Sequence, residues 1–172
     1  MNSLLIRLSY LRSREALAAV LLPAVIVWTW WNKGGELAWG LRLPALVLVA
    51  YILVQGSLYW HLKLRAIETG LPLPHWFHRL YRGFQWSNLI AIGAVLAALL
   101  LDRRSLTDAD IRWTAGLLAG AVLEQINYYH YQLMYDTRAA IGYLLRRRRL
   151  RKAALAIDIL RSAPKPVRGT PA

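Results

Sequence analysis

Charged and apolar positions are not mixed evenly along this chain. Four stretches are almost free of charge: Ala16 to Trp31, Leu43 to Trp60, Trp86 to Leu101 and Trp113 to Tyr135. Each is closed off by charged residues or His at its ends. Runs of this length predict membrane-spanning segments, and only a helix satisfies its own backbone there. The first and third runs, 16 residues each, cover only about 24 Å of a hydrocarbon layer about 30 Å thick. They must rely on interfacial flanks or on local thinning. Pro23 is expected to kink the first helix. Pro44 sits at a helix start, where its missing N–H costs little.

Two further segments have amphipathic patterning. Between the second and third runs, Pro72 and Pro74 precede HWFHRLYRGFQW. There Trp76, Phe77, Leu80, Tyr81 and Phe84 recur at helical spacing, and His75, Arg79 and Arg82 lie off the stripe. This predicts an interfacial helix lying in the membrane plane, which either senses headgroups or simply leads one span into the next. After the fourth run, residues 137–162 read as a basic amphipathic cytoplasmic helix. Ile141, Leu144 and Leu145 form one apolar cluster, and Leu150, Ala154, Ile157 and Leu160 another. The fold expected is therefore all-α and polytopic, with a transmembrane domain over 1–136, the basic helix, and a disordered tail over 163–172.

Composition agrees. The hydrophobic class makes up 57% of the 172 residues and charged residues 18%, too apolar for a disordered chain. There is no cysteine, which excludes a disulfide scaffold, a thiol nucleophile and a thiolate metal site. The formal net charge is +13. Seventeen of the 22 Lys and Arg fall in the N-terminal segment, the second loop and the C-terminal segment; five fall in the first and third loops. The positive-inside rule then places both termini in the cytoplasm. The apolar run after the first arginines ends in Trp28, Thr29, Trp30, Trp31 with no small-residue cleavage pattern, as in an uncleaved signal anchor. Size and Arg/Ala/Leu richness point to a bacterial inner membrane. Arg146, Arg147, Arg148, Arg149, Arg151 and Lys152 form a juxtamembrane cluster suited to anionic lipid headgroups. Nucleic acid is a poorer fit, because no aromatic stacking platform accompanies the run.

The most informative stretch is AGLLAGAVLEQINYYHYQLMYD, residues 115–136. A helix packed only against lipid has no use for Glu124, Gln125, Asn127, His130 and Gln132. On a helical projection Gly116, Gly120, Glu124, Asn127 and Tyr131 share one side. The G-x-x-x-G pair Gly116 and Gly120 predicts close helix packing. Tyr51 and Gln55 on the second helix and Asn88 on the third lie at matching depth. Together Tyr51, Gln55, Asn88, Glu124, Asn127, His130 and Tyr131 define an expected polar pocket open to the cytoplasm.

Three functions from different classes fit. The first is an assembly, accessory or ligand-binding module, a homo-oligomer or the companion of another membrane protein. The second is an enzyme acting on a lipid-soluble substrate at the inner leaflet, with Glu124 and His130 as acid and base. The third is an oligomeric channel or transporter using Glu124. No metal site is expected, although His75 and His78, at i, i+3, have the spacing of a helical metal pair. His61 with His130 is the one pair that could hold haem or a metal between facing helices.

Overall fold

The computed structural model describes residues 2–32, 39–134 and 138–163. Among them there are six helices and no strand: α1 (Asn2–Asn32), α2 (Trp39–Thr69), α3 (Phe77–Leu101), α4 (Asp108–Tyr129), α5 (Arg138–Arg147) and α6 (Ala154–Arg161). The all-α expectation holds. Lys33, Tyr135, Asp136 and the tail from residue 164 onward lie outside the described residues.

Two helices, Gly40–Thr69 and Phe77–Leu101, are long and apolar enough to cross a membrane. Their environments differ. In the most apolar stretch of α2, 56% of residues are buried within the protein; in α3 only 17% are. The hub is thus α2, which packs most extensively on α1, then on α4 and α3. Burial agrees: Ala45, Leu46, Val49, Ile52 and Tyr59 of α2 all sit in the core cluster, whereas α4 exposes Val122 and Leu123.

The separate in-plane helix between the second and third spans is not formed. Residue 77 begins a helix that runs unbroken to Leu101, entered by a turn in which Phe77 N–H donates to the Pro74 carbonyl. The aromatic stripe expected to dip into lipid packs on protein instead. Phe77 and Tyr81 are fully buried, and both rings lie 6.3 Å from that of Tyr59 on α2. These contacts continue the face that carries Asn88 two turns beyond Tyr81, so the helix has no reason to break at Gly83.

The C-terminal helix is also not continuous. It stops near Arg148, whose φ of 47° is left-handed; an ordinary L-residue adopts that at some cost. The following residues run alongside the chain beyond α4. Gln132 N–H donates to Arg151 O at 2.8 Å, and Ala153 N–H to His130 O at 3.2 Å. The short α6 then buries Leu155 and Ile159 against α3 and α4. Its Asp158 accepts from the Tyr59 hydroxyl at 2.8 Å and from the Lys63 ammonium. His78 Nδ1 meets Ile159 O at 2.9 Å. Core burial of one face and five polar ties outweigh the helix propensity of a continuous segment.

At the opposite end, Arg42 and Asp110 form a buried ion pair. The Arg42 guanidinium lies 5.6 Å over the Trp30 ring, and Trp30 meets Trp113 edge-on at 5.5 Å. Thr107 completes a capping box with Asp110 at the start of α4. Burial works against the Asp110 carboxylate, but the Thr107 hydroxyl and amide and the Arg42 guanidinium outweigh it and hold this carboxyl below its ordinary range.

Close helix approach occurs at Gly56, not at the predicted pair. A Cβ at Gly56 would overlap the ring of Tyr128, which is itself buried. A Cβ at Gly116 or Gly120 meets nothing within 4 Å, so no part of the described chain packs tightly there. Thermal unfolding in detergent separates these sites. Gly56→Ala should cost about 1–3 kcal/mol by overpacking, while Gly120→Ala should be neutral or slightly stabilising. Asp110→Ala should cost about 3–5 kcal/mol at pH 7, because it strands a buried cation. A folded carboxyl held below its unfolded value contributes stability that is present at neutral pH and lost on acidification. The gap between wild type and Asp110→Ala should therefore narrow as the pH falls below about 4.

Candidate functional site

Three carboxamides from three helices meet in the core. Gln55 and Asn88 exchange a reciprocal pair of hydrogen bonds, each 2.9 Å. Asn88 Nδ2 also donates to Gln125 Oε1 at 2.8 Å. The Tyr129 hydroxyl donates to Gln55 Oε1 at 2.7 Å, and the Tyr81 hydroxyl to the Gln55 carbonyl at 3.2 Å. Gln125 Nε2 donates to the Gln85 carbonyl. All three amides are at most 3% exposed, and every amide oxygen is satisfied. This arrangement ties α2, α3 and α4 together and leaves no room for a ligand.

The expected polar pocket is therefore split. Gln55 and Asn88 belong to the amide network. Tyr51 lies at its edge, half-exposed, with its hydroxyl 3.4 Å from Ser87 Oγ. Glu124 accepts from Asn127 Nδ2 at 3.3 Å, and Asn127 Oδ1 in turn accepts from Leu133 N–H, closing the turn beyond α4. His130 and Tyr131 are exposed at that turn. No hydrogen bond or ion pair among the described residues joins Glu124 to His130, so the structure does not assemble them as an acid–base pair. Tyr81, Gln125 and Tyr129 are the members of the network that the expected pocket omitted. For Gln125 and Tyr129 the signal was present: they lie four apart, on the next stripe of the same helix.

A different concavity has the character of a site. A cavity of about 650 Å³ opens where the N-terminal part of α1 meets the ends of α2 and α4 and the returning chain of α5 and α6. That is within the range of small-molecule sites. Leu4, Leu8 and Leu11 of α1 supply an apolar wall, and Glu15 ends the same helical stripe. Arg7, Lys63, Arg146, Arg151 and Lys152 supply cations from four separate parts of the chain. Lys63 is engaged by Asp158. Trp60, Asn127 and Tyr128 complete the inner surface. Three of the six predicted headgroup residues, Arg146, Arg151 and Lys152, thus line a cavity, while Arg147, Arg148 and Arg149 are exposed outside it. Glu15 was missed because it reads as the boundary of the first span; its i, i+4, i+7, i+11 relation to Leu4, Leu8 and Leu11 was visible in the sequence.

A smaller cavity of about 260 Å³ is lined among others by Arg82, His130 and Lys152. His61 lines neither cavity. No group of three or more possible metal ligands occurs among the described residues. The chain matches no family model, no curated protein and no solved structure.

The amide network is a stability element with a clear signature. Asn88→Leu leaves the Gln55 and Gln125 amides short of partners. It should cost about 1–3 kcal/mol in detergent. Gln85→Leu, which keeps the backbone carbonyl that Gln125 uses, should cost much less by the same thermal measurement.

Proposed function

We propose that the chain is a four-helix integral membrane protein, N-in and C-in, that serves as a ligand-binding or accessory module. Its ligand site is the cavity beside Tyr128. The observation that carries this reading is a 650 Å³ concavity with an apolar wall and a cationic rim at the basic end of the bundle.

Placement in a membrane draws support from the outer surface. Val20, Leu21, Val25 and Trp28 of α1 are exposed, as are Val47 and Val54 of α2 and Trp86, Ile90, Leu96 and Leu100 of α3. A soluble monomer rarely leaves so broad an apolar surface to water. The low burial of α3 speaks against its being the core helix of a soluble domain. Orientation rests on charge: of the five cations assigned to the outer loops, Arg42 is neutralised by Asp110, which sharpens the asymmetry. In this orientation the cavity lies at the cytoplasmic interface. A bacterial inner membrane is the setting that fits the charge pattern and size.

A second reading keeps the open face of α4. Among the described residues nothing lies within 4 Å of a Cβ at Gly116 or Gly120, and a second copy or a partner helix would find close backbone approach there.

Native mass spectrometry of the full chain, purified in a non-ionic detergent and washed extensively, tests the first reading. Wild type should retain one amphiphilic molecule per chain. Ala154→Trp, which places an indole into the cavity from the first turn of α6, should not. Equal retention by both, or none by either, would leave the cavity without a ligand role.

A further inference from the structure

The smaller cavity, about 260 Å³, gathers cationic and donor groups from three separate parts of the chain. Arg82 comes from the second turn of α3, His130 and Tyr131 from the turn beyond α4, and Lys152, which borders the larger cavity as well, from the chain returning toward α6. Backbone pairing fixes the last three. Gln132 N–H donates to Arg151 O and Ala153 N–H to His130 O, so Tyr131 and Lys152 stand opposite each other in an isolated antiparallel bridge. They form a non-hydrogen-bonded pair, the arrangement in which facing side chains lie closest. Both side chains are exposed. On α3, Arg82 Nη1 donates to the neutral Gln85 Oε1 at 3.2 Å, which steadies the guanidinium and leaves its other N–H donors available.

The charge of this lining is one-sided. No Asp or Glu belongs to it. The ion pairs at Asp110 and Asp158 engage Arg42 and Lys63, and neither Arg82 nor Lys152 is paired with a carboxylate among the described residues. α6 adds apolar contact through Ala156, Ile159 and Leu160. Away from the cavity, the α3 face that carries Arg82 continues as an apolar stripe. Trp86, Leu89, Leu96 and Leu100 follow Arg82 at helical spacing, and all four are exposed. From Arg82 to Leu100 the stripe covers about 27 Å, close to the thickness of a hydrocarbon layer.

We propose that the smaller cavity binds the phosphate of an anionic phospholipid from the adjacent leaflet. The proposal rests on the placement of the chain in a membrane and not on the larger cavity. The Arg82 guanidinium and the Lys152 ammonium hold phosphate oxygens through charge-assisted hydrogen bonds; the Tyr131 hydroxyl and a His130 ring N–H add further donors. A volume of 260 Å³ falls below the usual range for sites that enclose a whole small molecule. It takes a headgroup, while the acyl chains lie outside along the α3 stripe. Two fixed positive charges with no carboxylate beside them disfavour a headgroup that carries its own cation. A soluble phosphate would use the cations and leave the stripe unused.

The test is a binding titration of the full chain in non-ionic detergent, read by isothermal calorimetry. Three probes are compared: dihexanoyl phosphatidylglycerol, dihexanoyl phosphatidylcholine and inorganic phosphate. Phosphatidylglycerol should bind most tightly. Arg82→Gln should weaken it about tenfold, the effect of one charge-assisted contact. Ala156→Trp, which fills the cavity from α6, should abolish it. Two variants should leave it unchanged: Ala154→Trp, which fills the larger cavity, and Arg65→Gln, which removes an exposed cation that borders neither cavity. Circular dichroism and a monodisperse elution profile check that each variant is folded. Arg82 is exposed, so Arg82→Gln reads the site even where Ala156→Trp fails to fold. Equal weakening by Arg65→Gln and Arg82→Gln would reduce the site to a diffuse surface potential and overturn the proposal. Phosphatidylcholine binding as tightly as phosphatidylglycerol would overturn the anionic class, and inorganic phosphate binding as tightly would overturn the lipid source. Loss of binding in Ala154→Trp but not in folded Ala156→Trp would move the lipid to the larger cavity, against this proposal and in favour of the ligand-binding reading. No binding of any probe would overturn this proposal and leave the larger cavity to its own retention measurement.

Discussion

A carboxamide buried in an apolar helix bundle must find partners within the protein, since neither lipid nor the core supplies any. Gln55, Asn88 and Gln125 solve this jointly, and much of the architecture follows from the solution. Asn88 gives and receives with Gln55 while it donates to Gln125. Three helices must therefore stand within side-chain reach at one level. Tyr81 and Tyr129 add hydroxyl donors from the same two flanking helices. Each such bond contributes little on its own, about 0.6 kcal/mol for interhelical pairs in a membrane setting. Together they favour one rotation and one register for α2, α3 and α4, because a slip by one residue would strand several buried polar atoms at once.

The other polar ties lie at the two ends. Arg42 with Asp110 locks α2 to the start of α4. Tyr59 and Lys63 with Asp158 lock α2 to α6. α2 is a partner in all three levels, which is why it is the hub. α1 packs most extensively on α2, with the Arg42 guanidinium of α2 over the Trp30 ring of α1. Tyr128 of α4 occupies the space beside Gly56 of α2, and it lines the larger cavity together with the N-terminal part of α1 and the returning chain.

The sequence made the helical class legible, together with the limits of the apolar runs and the existence of something polar on α4. Gln55 and Asn88 were found for a physical reason: a lone amide in an apolar run signals a partner. What could not be read was which stripe of α4 they would meet. Glu124 and Gln125 are adjacent, and helix rotation alone decides between them. The aromatic stripe from Trp76 to Phe84 failed in a similar way. Its spacing reports a helix with one apolar face, but period cannot distinguish a face that meets lipid from one that meets Tyr59. The C-terminal break was hidden for a third reason. Residues 148–153 have ordinary helix formers, and only tertiary hydrogen bonds to His130 and Gln132 draw them into extended form.

That break has a consequence for the basic run. Had residues 137–162 formed one helix lying on the bilayer, the six cations would have faced headgroups as a diffuse surface, and their order in sequence would have mattered little. The left-handed turn at Arg148 divides them. Arg147, Arg148 and Arg149 stay outward and exposed. Arg146, Arg151 and Lys152 turn inward and face Arg7 across a cavity of defined shape. Charges within a few ångströms of a low-dielectric wall act more strongly than the same charges in water. The same two residues that anchor α6, Tyr59 and Lys63, also line that cavity, so the tie that folds the C-terminus back is the tie that gives the basic cluster its geometry.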